Sequence, residues 1–315
     1  MNSLSAKAPR RRAVVLCAGI AVEDFLFKVE RFPAPGEKVH ADALRATAGG
    51  CAANAAVAVA RLGGTARFAG PVGTDEASRR FLDSLDRMGV DSASVVRVEG
   101  GSISVSGIFI DREGEKMVAT RHGEKLAGVR PPDPARLVAD VDVMLADNRF
   151  PNFVEPVCAA ARERRVPVVL DADRATQLSD PLFTLASHVI FSSEALRATA
   201  GLSDLAAGLC RAAEKIKAFL AVTNGPDDLL FMDAGLVRHL PVFSVAAVDT
   251  LGAGDTFHGA FALALAERSE VVSALRFAAA SAALKCTRFG GISGTPYRDE
   301  TDAFLKTRGF GLKKE

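Results

Sequence analysis

The chain reads as an α/β protein: a three-layer α/β/α core around a mostly parallel sheet, with a small β-strand lid. Three observations lead there. Short apolar runs alternate with helical segments, two β-rich stretches without crossover helices interrupt that alternation, and Gly-Ala-Gly-Asp opens a helix in the final third. Strands that alternate with helices pair in parallel, and the crossover helices cover both faces of the sheet.

With 315 residues, 49% of them hydrophobic, the chain can bury one large core, and one α/β domain is expected rather than two equal ones. The formal net charge of +1 argues against nucleic-acid binding, because no basic field exists to release counterions. A basic run, Arg10 to Arg12, ends a polar stretch, so residues 1–12 are expected to form a disordered tail. The apolar stretch from Ala13 to Val22 is followed by Glu23 and Asp24, not by a small-residue cleavage site, and reads as a buried first strand. No run of about 18 apolar residues is present, so no membrane span is expected. Cys17, Cys51, Cys158, Cys210 and Cys286 are odd in number, scattered and without a CxxC pair. Neither a disulfide framework nor a zinc site is suggested, and a cytoplasmic setting is expected.

Residues 22–48 mix polar and apolar positions around Pro33, Pro35 and Gly36, as strands and turns outside the main core do. A small-residue helix opens at Gly49-Gly50 and stops at Gly63-Gly64, and a second spans 75–88 between Asp75 and Gly89. Residues 100–122 form the other β stretch. Ser102 to Ser106 alternate strictly, and Asp111 to Gly114 make a hairpin turn before Lys116–Thr120. Strands then follow at Val141–Ala146, Val166–Asp171, His188–Phe191 and Phe219–Thr223, and helices at about Asp255–Glu267 and Val271–Lys285. The core comprises 13–21, 49–99 and 123–310. The stretches 22–48 and 100–122 are expected to meet as an antiparallel lid over the carboxyl ends of the strands, where open α/β sheets bind ligands.

The chemistry concentrates in Asp249-Thr-Leu-Gly-Ala-Gly-Asp255. Two glycines allow a ligand to approach the backbone, and free amides at a helix start attract phosphate oxygens. A carboxylate there can take a proton from a substrate hydroxyl. Asp255 alone would serve equally well as an N-cap. Asp249 upstream and a second glycine-opened helix carrying Asn54 favour the catalytic reading.

These motifs resemble the ribokinase (PfkB carbohydrate kinase) family from about residue 13 to 306. Gly49–Gly64 matches its N-terminal signature and Asp249–Asp255 its C-terminal one. The resemblance implies a nine-stranded-type core with a β lid, and Asp255 as base with Gly252, Ala253 and Gly254 as anion hole. It places Asp24, Gly49, Gly50 and Asn54 at a sugar, and Thr223, Gly225, Gly252, Gly254 and Cys286 at ATP. It implies a potassium site at Asp249 with carbonyls near Leu251, Cys286 and Gly291. The family's magnesium-organising Asn-x-x-Glu is replaced by Phe191-Ser-Ser-Glu194-Ala, leaving Glu194 as the available carboxylate. His258, one helical turn past Asp255, reads as a hydrogen-bonding support.

A narrower resemblance, carried by Val143–Phe150, Phe257–Ala260 and Ala283–Gly291, is to the sulfofructose kinase branch. It places Lys38 and Arg149 at a sulfonate, with Thr120 standing where that branch has Asn and Arg121 beside it. An ion pair of Arg149 with Asp147 or Asp171 is the structural alternative. The expectation is therefore ATP- and Mg2+-dependent transfer to a primary hydroxyl of a ketose-like, anionic sugar, by a homodimer joined through its lids. A nucleoside kinase and a non-catalytic sugar-binding regulator are the rival readings.

Overall fold

The structure is a computed structural model that describes residues 11–309. Most of the tail expected at 1–12, and the final residue assigned to the core, lie outside the described residues. Arg11 is described, and it pairs with Asp142 at 2.7 Å. Strand β1 (Val14–Ala18) leads into β2 (Val22–Lys28), which pairs back with β3 (Ala43–Gly49). Helix α1 (Cys51–Arg61), β4 (Thr65–Ala69), β5 (Pro71–Val72), α2 (Glu76–Arg87), β6 (Val90–Asp91) and β7 (Val96–Arg97) follow. A second hairpin joins β8 (Ser104–Ile110) to β9 (Lys116–Arg121). Next come α3 (Pro134–Leu137), β10 (Val143–Asp147), α4 (Pro151–Glu163), β11 (Val168–Ala172), α5 (Pro181–Leu185) and β12 (His188–Ser192). Then α6 (Ser193–Ala200), α7 (Leu205–Lys215), β13 (Phe219–Thr223), β14 (Leu229–Asp233) and β15 (Leu236–Leu240). The last helices are α8 (Ala253–Ala266), α9 (Val271–Cys286) and α10 (Arg298–Thr307).

Nine strands form one sheet in the order β15-β14-β13-β12-β11-β10-β1-β4-β6. Its interior pairs are parallel, and β14 runs against both its neighbours. Side chains alternate between two apolar cores. Val15, Cys17, Val143 and Leu145 enter the core shared with α1, α8 and α9, while Val14, Leu16, Met144 and Ala146 enter the one shared with α4, α6 and α7. Burying each such side chain is worth about 1.5–3 kcal/mol, which makes a strand with two apolar faces a fixed central element. Helices α1 and α8 touch closely because Gly259 lacks a Cβ, which would overlap the carbonyl of Ala55. Among the described residues no helix is long and apolar enough to cross a membrane.

Three differences from the sequence reading have physical causes. The β14–β15 hairpin was not anticipated, because its turn places Ala234 (φ 48°) as well as Gly235 (φ 81°) in the left-handed region, and alanine gives no turn signal. Helix α8 begins at Ala253 behind a left-handed Gly252, so Asp255 lies inside the first turn and is not its cap. The second sheet, in the order β3-β2-β8-β9, is mixed and not antiparallel. Its central pair, β2 with β8, is parallel over seven residues. Both hairpins leave the core from the same end and run outward on their first strand, so the two first strands align.

Candidate active site

The loop before α8 supplies a helix start whose donors are free. The amides of Gly254 and Asp255 have no acceptor among the described residues, whereas Ala253 N–H donates to Thr250 O at 3.2 Å. The cap residue Gly252 brings no side chain over them. Asp255 points back across this turn, and Asn54 Nδ2 donates to its Oδ2 at 2.7 Å. Burial pushes the Asp255 carboxyl up to about 6; the Asn54 hydrogen bond and the Lys116 charge pull it down, while Asp173 and Asp147 raise it. The other amide atom of Asn54, Oδ1, is buried with no partner among the described residues. A buried acceptor left open beside a carboxylate fits an incoming hydroxyl.

Asp24 approaches from the small sheet. An added Cβ on Gly49 would overlap its carboxylate, which is why β3 ends in glycine there. Gly50, at φ 98°, caps α1 without a side chain, and a Cβ would strike Ile20 O. Burial raises the Asp24 carboxyl to about 7; Ser106 lowers it by hydrogen bonding, and the Asp255 and Glu23 charges raise it. Behind these residues, Asp147 at the end of β10 accepts from the amides of Ile20 (2.8 Å), Arg149 (3.0 Å) and Ala52 (3.2 Å). It ties β1 and α1 together under the site. Asp171 and Asp173 project from the end of β11 and beyond it, and Cys51 Sγ lies within 4.8 Å of ligand atoms of Asp171 and Asp255. His258 supports the floor: Nδ1 contacts Gly254 O at 2.8 Å, and Nε2 lies 3.5 Å from Asp171.

The three expected substrate cations do not converge as anticipated. Arg149 pairs through Nη2 with Asp173, not with Asp147 or Asp171 side by side on the strands; its other guanidinium nitrogens have no partner among the described residues. Arg121 pairs with Glu124 at 2.8 Å on the face of the small sheet opposite to Asp24. Its register partner is Val105, which stands beside Glu23, whereas Ser106 and Thr120 share the face of Asp24. Ser106 and Thr120 hydroxyls meet at 3.0 Å. Lys38 is exposed in the loop between β2 and β3. The cation that sequence reasoning missed is Lys116. The register Lys28–Ile110–Lys116 puts it on the face of Asp24, and its charge acts on Asp255. Its alternation with Val118 and Thr120 is the signal that could have found it.

At the nucleotide side, Thr223 ends β13 with its hydroxyl 3.4 Å from Phe191 O, and Gly225 follows in a left-handed turn at φ 59°. Ser192, where the family motif starts with Asn, caps α6 by accepting from Ala195 N at 3.2 Å. Glu194 lies exposed in the first turn of α6 on the adjacent strand end.

The expected potassium site does not fit. Lys285 is fully buried, and its ammonium donates to Asp249 O at 2.7 Å and lies 3.2 Å from Asp249 Oδ1. The carboxylate also accepts from the amides of Leu251 (2.8 Å), Gly290 (2.9 Å) and Gly291 (2.8 Å). The Cys286 carbonyl is taken by the amides of Val248 and Asp249 at 2.7 and 3.1 Å. The Asp249 carboxylate and the Cys286 carbonyl, two of the acceptors expected at a potassium ion, are therefore already bonded, and the Lys285 ammonium stands against that carboxylate.

Comparison with known proteins places this arrangement in context. Residues 12–298 match a family model described as pfkB family carbohydrate kinase. The ribokinase of Bacillus subtilis is 28% identical over 286 residues, covering 90% of this chain and 96% of its own. The ATP-dependent ribose-1-phosphate kinase of Halopiger xanaduensis is 31% identical over 303 residues, covering 93% and 98%. A protein from Agrobacterium tumefaciens, described as a candidate ribokinase, superposes with a TM-score of 0.91 at 35% identity, covering 97% of this chain and all of its own. The Arabidopsis thaliana ribokinase complexed with ribose and ATP gives a TM-score of 0.80 at 25% identity, covering 94% and 99%.

Proposed function

Because the chain belongs to the pfkB family of carbohydrate kinases and is an ATP-dependent phosphotransferase with an alcohol acceptor, we propose that it phosphorylates a primary hydroxyl of a ketose-like sugar bearing an anionic group. The observation that carries the catalytic part is the Asn54–Asp255 hydrogen bond beneath a helix start with free amides. Asn54 holds one oxygen of the carboxylate, and the other has no hydrogen-bond partner among the described residues. That oxygen takes the proton as the sugar oxygen attacks the γ-phosphorus in line. The free amides of Gly254 and Asp255 meet the charge that develops on the transferring group, while the Ala253 amide, expected in the anion hole, is held by Thr250 O. Asp24 and Asn54 Oδ1 accept sugar hydroxyls and set which one faces Asp255. Lys116, on the inner face of the lid, offers a positive charge to the same phosphoryl oxygens. Glu194 is the exposed carboxylate that would hold the waters of a magnesium ion bound with the nucleotide, and such an ion would supply positive charge to the phosphates.

The anionic group is read by Arg149. Asp173 holds one edge of the guanidinium and leaves the other nitrogens for a sulfonate, phosphate or carboxylate. ADP release across neutral sugars, sugar acids, sulfosugars, sugar phosphates and nucleosides tests the whole reading. Asp255→Asn is expected to lower kcat by about 10²–10⁴-fold with nucleotide affinity kept. Arg149→Ala is expected to raise KM for the anionic sugar alone, by an amount on the order of 2–4 kcal/mol. An unchanged ratio of anionic to neutral kcat/KM after Arg149→Ala rejects the anionic substrate. Asp255→Asn at near wild-type rate rejects the catalytic assignment.

A further inference from the structure

We propose that the ammonium of Lys285 is a built-in replacement for a monovalent cation, so that this kinase shapes its anion hole without potassium. The proposal rests on the reading of 252–255 as the phosphoryl-binding turn, and concerns what holds that turn in place. Lys285 comes from the last turn of α9, where the surrounding residues are apolar or small. An ammonium there is tolerated only if paired and hydrogen-bonded. Its partners are the backbone carbonyl and the carboxylate of Asp249, the residue that begins the loop into α8.

The carboxylate then spreads the effect. Through Leu251 N it fixes the residue before Gly252, and through Gly290 N and Gly291 N it fixes the loop after α9. Three segments separated in sequence are thus clamped by one charge pair. A metal ion held by the same carboxylate and by nearby carbonyls would clamp the same three segments. Ammonium and potassium carry the same charge and are similar in size, but the ammonium needs acceptors only along its N–H directions. A second cation placed beside it would meet like charge in a low-dielectric interior. Lys285 is fully buried and its hydrogen-bond and ion-pair partners are both on Asp249, so it is a positioning residue acting through Asp249.

The experiment uses the full-length protein in potassium chloride, ammonium chloride and choline chloride at one ionic strength. It records phosphoryl transfer, melting temperature and the dissociation constant for ADP. The wild type is expected to be flat across the three salts, within about 1.5-fold in rate, since a site already filled gives no binding linkage. Lys285→Ser removes the ammonium and opens space. It is expected to lose on the order of 10–100-fold in kcat in choline, as for a disturbed oxyanion site. Potassium or ammonium should restore much of that rate, raise the melting temperature and tighten ADP. Lys285→Met fills the volume without charge and should show the same loss with no recovery.

A wild type stimulated several-fold by potassium overturns the proposal, and this arm stands even if the variants do not fold. A folded Lys285→Ser that is active in choline, or whose melting and ADP binding ignore potassium, also overturns it, as does recovery of Lys285→Met. Failure of the catalytic reading is distinguishable: Asp255→Asn would remain active while Lys285→Ser still melted higher in potassium than in choline.

Discussion

Asp255 and Asp24 are carboxylates that must be charged to work, and both titrate high. Burial raises them to about 6 and about 7. A raised carboxyl keeps its proton until the pH passes its folded value, so the active form is lost on the acid side. The expected kcat/KM therefore levels only well above the Asp24 value of about 7, falls through that titration, and steepens below about pH 6 as both groups protonate. Asn54→Leu removes a hydrogen bond that favours the charged base, and Lys116→Met removes a favourable charge; both should move the lower limb to higher pH. A pH–rate profile that stays flat from 5 to 8, or variants that shift it downward, would contradict this. At this scale the sequence was legible where geometry demanded a residue type. Glycines at 49, 50 and 252 mark close approach or left-handed backbone, and they framed Asp24, Asn54 and Asp255. Asp173 and Lys285 were not legible. Each sits at the end of an apolar element whose pattern already explains its neighbours, and only tertiary contact reveals the partner.

The elements of the core were readable because strands buried on two faces must be apolar, and their ends fell within a few residues of expectation. The small sheet was harder. Its strands have one face toward the site and one away, and a shift of register by one residue exchanges them. Arg121 was expected at substrate only as the neighbour of Thr120, and the observed register turns it to the opposite face and brings Lys116 to the inner one. Strand β2 shows how the sheet is tied down. Glu23 is buried on the outer face and takes Arg80 from α2 at 2.5 and 2.7 Å, one residue before Asp24. Arg80→Ala leaves that carboxylate buried without its partner and is expected to cost about 1–3 kcal/mol, discounted because Arg80 is half exposed. It should also raise KM for sugar. Arg79→Ala, on the exposed side of the same helix, removes surface pairs only and should cost much less. Denaturant unfolding of the two variants makes the comparison, and equal losses would show that the clamp contributes nothing special.

For the whole molecule, the outer face of the small sheet is unfinished. Leu44, Phe27, Phe109 and Met117 stand in register across its four strands. Leu44 is 62% and Met117 46% exposed, and the Phe27 and Phe109 rings lie 5.5 Å apart. A continuous apolar row of this kind marks an interaction surface. The proposed homodimer, joined lid to lid about a two-fold axis, would cover it. Light scattering is expected to give a dimer at micromolar concentration, and Phe27→Glu a monomer. A wild-type monomer would count against the assembly.

The small sheet is one backbone thick, with Asp24 and Leu26 on one side and Phe25 and Phe27 on the other. A strand that tilts to meet a sugar therefore carries its outer side chains with it. In a dimer built on that outer row, filling one pocket would displace the surface on which the other lid rests. The two pockets then fill cooperatively: sugar saturation should be sigmoidal for the dimer and hyperbolic for the Phe27→Glu monomer.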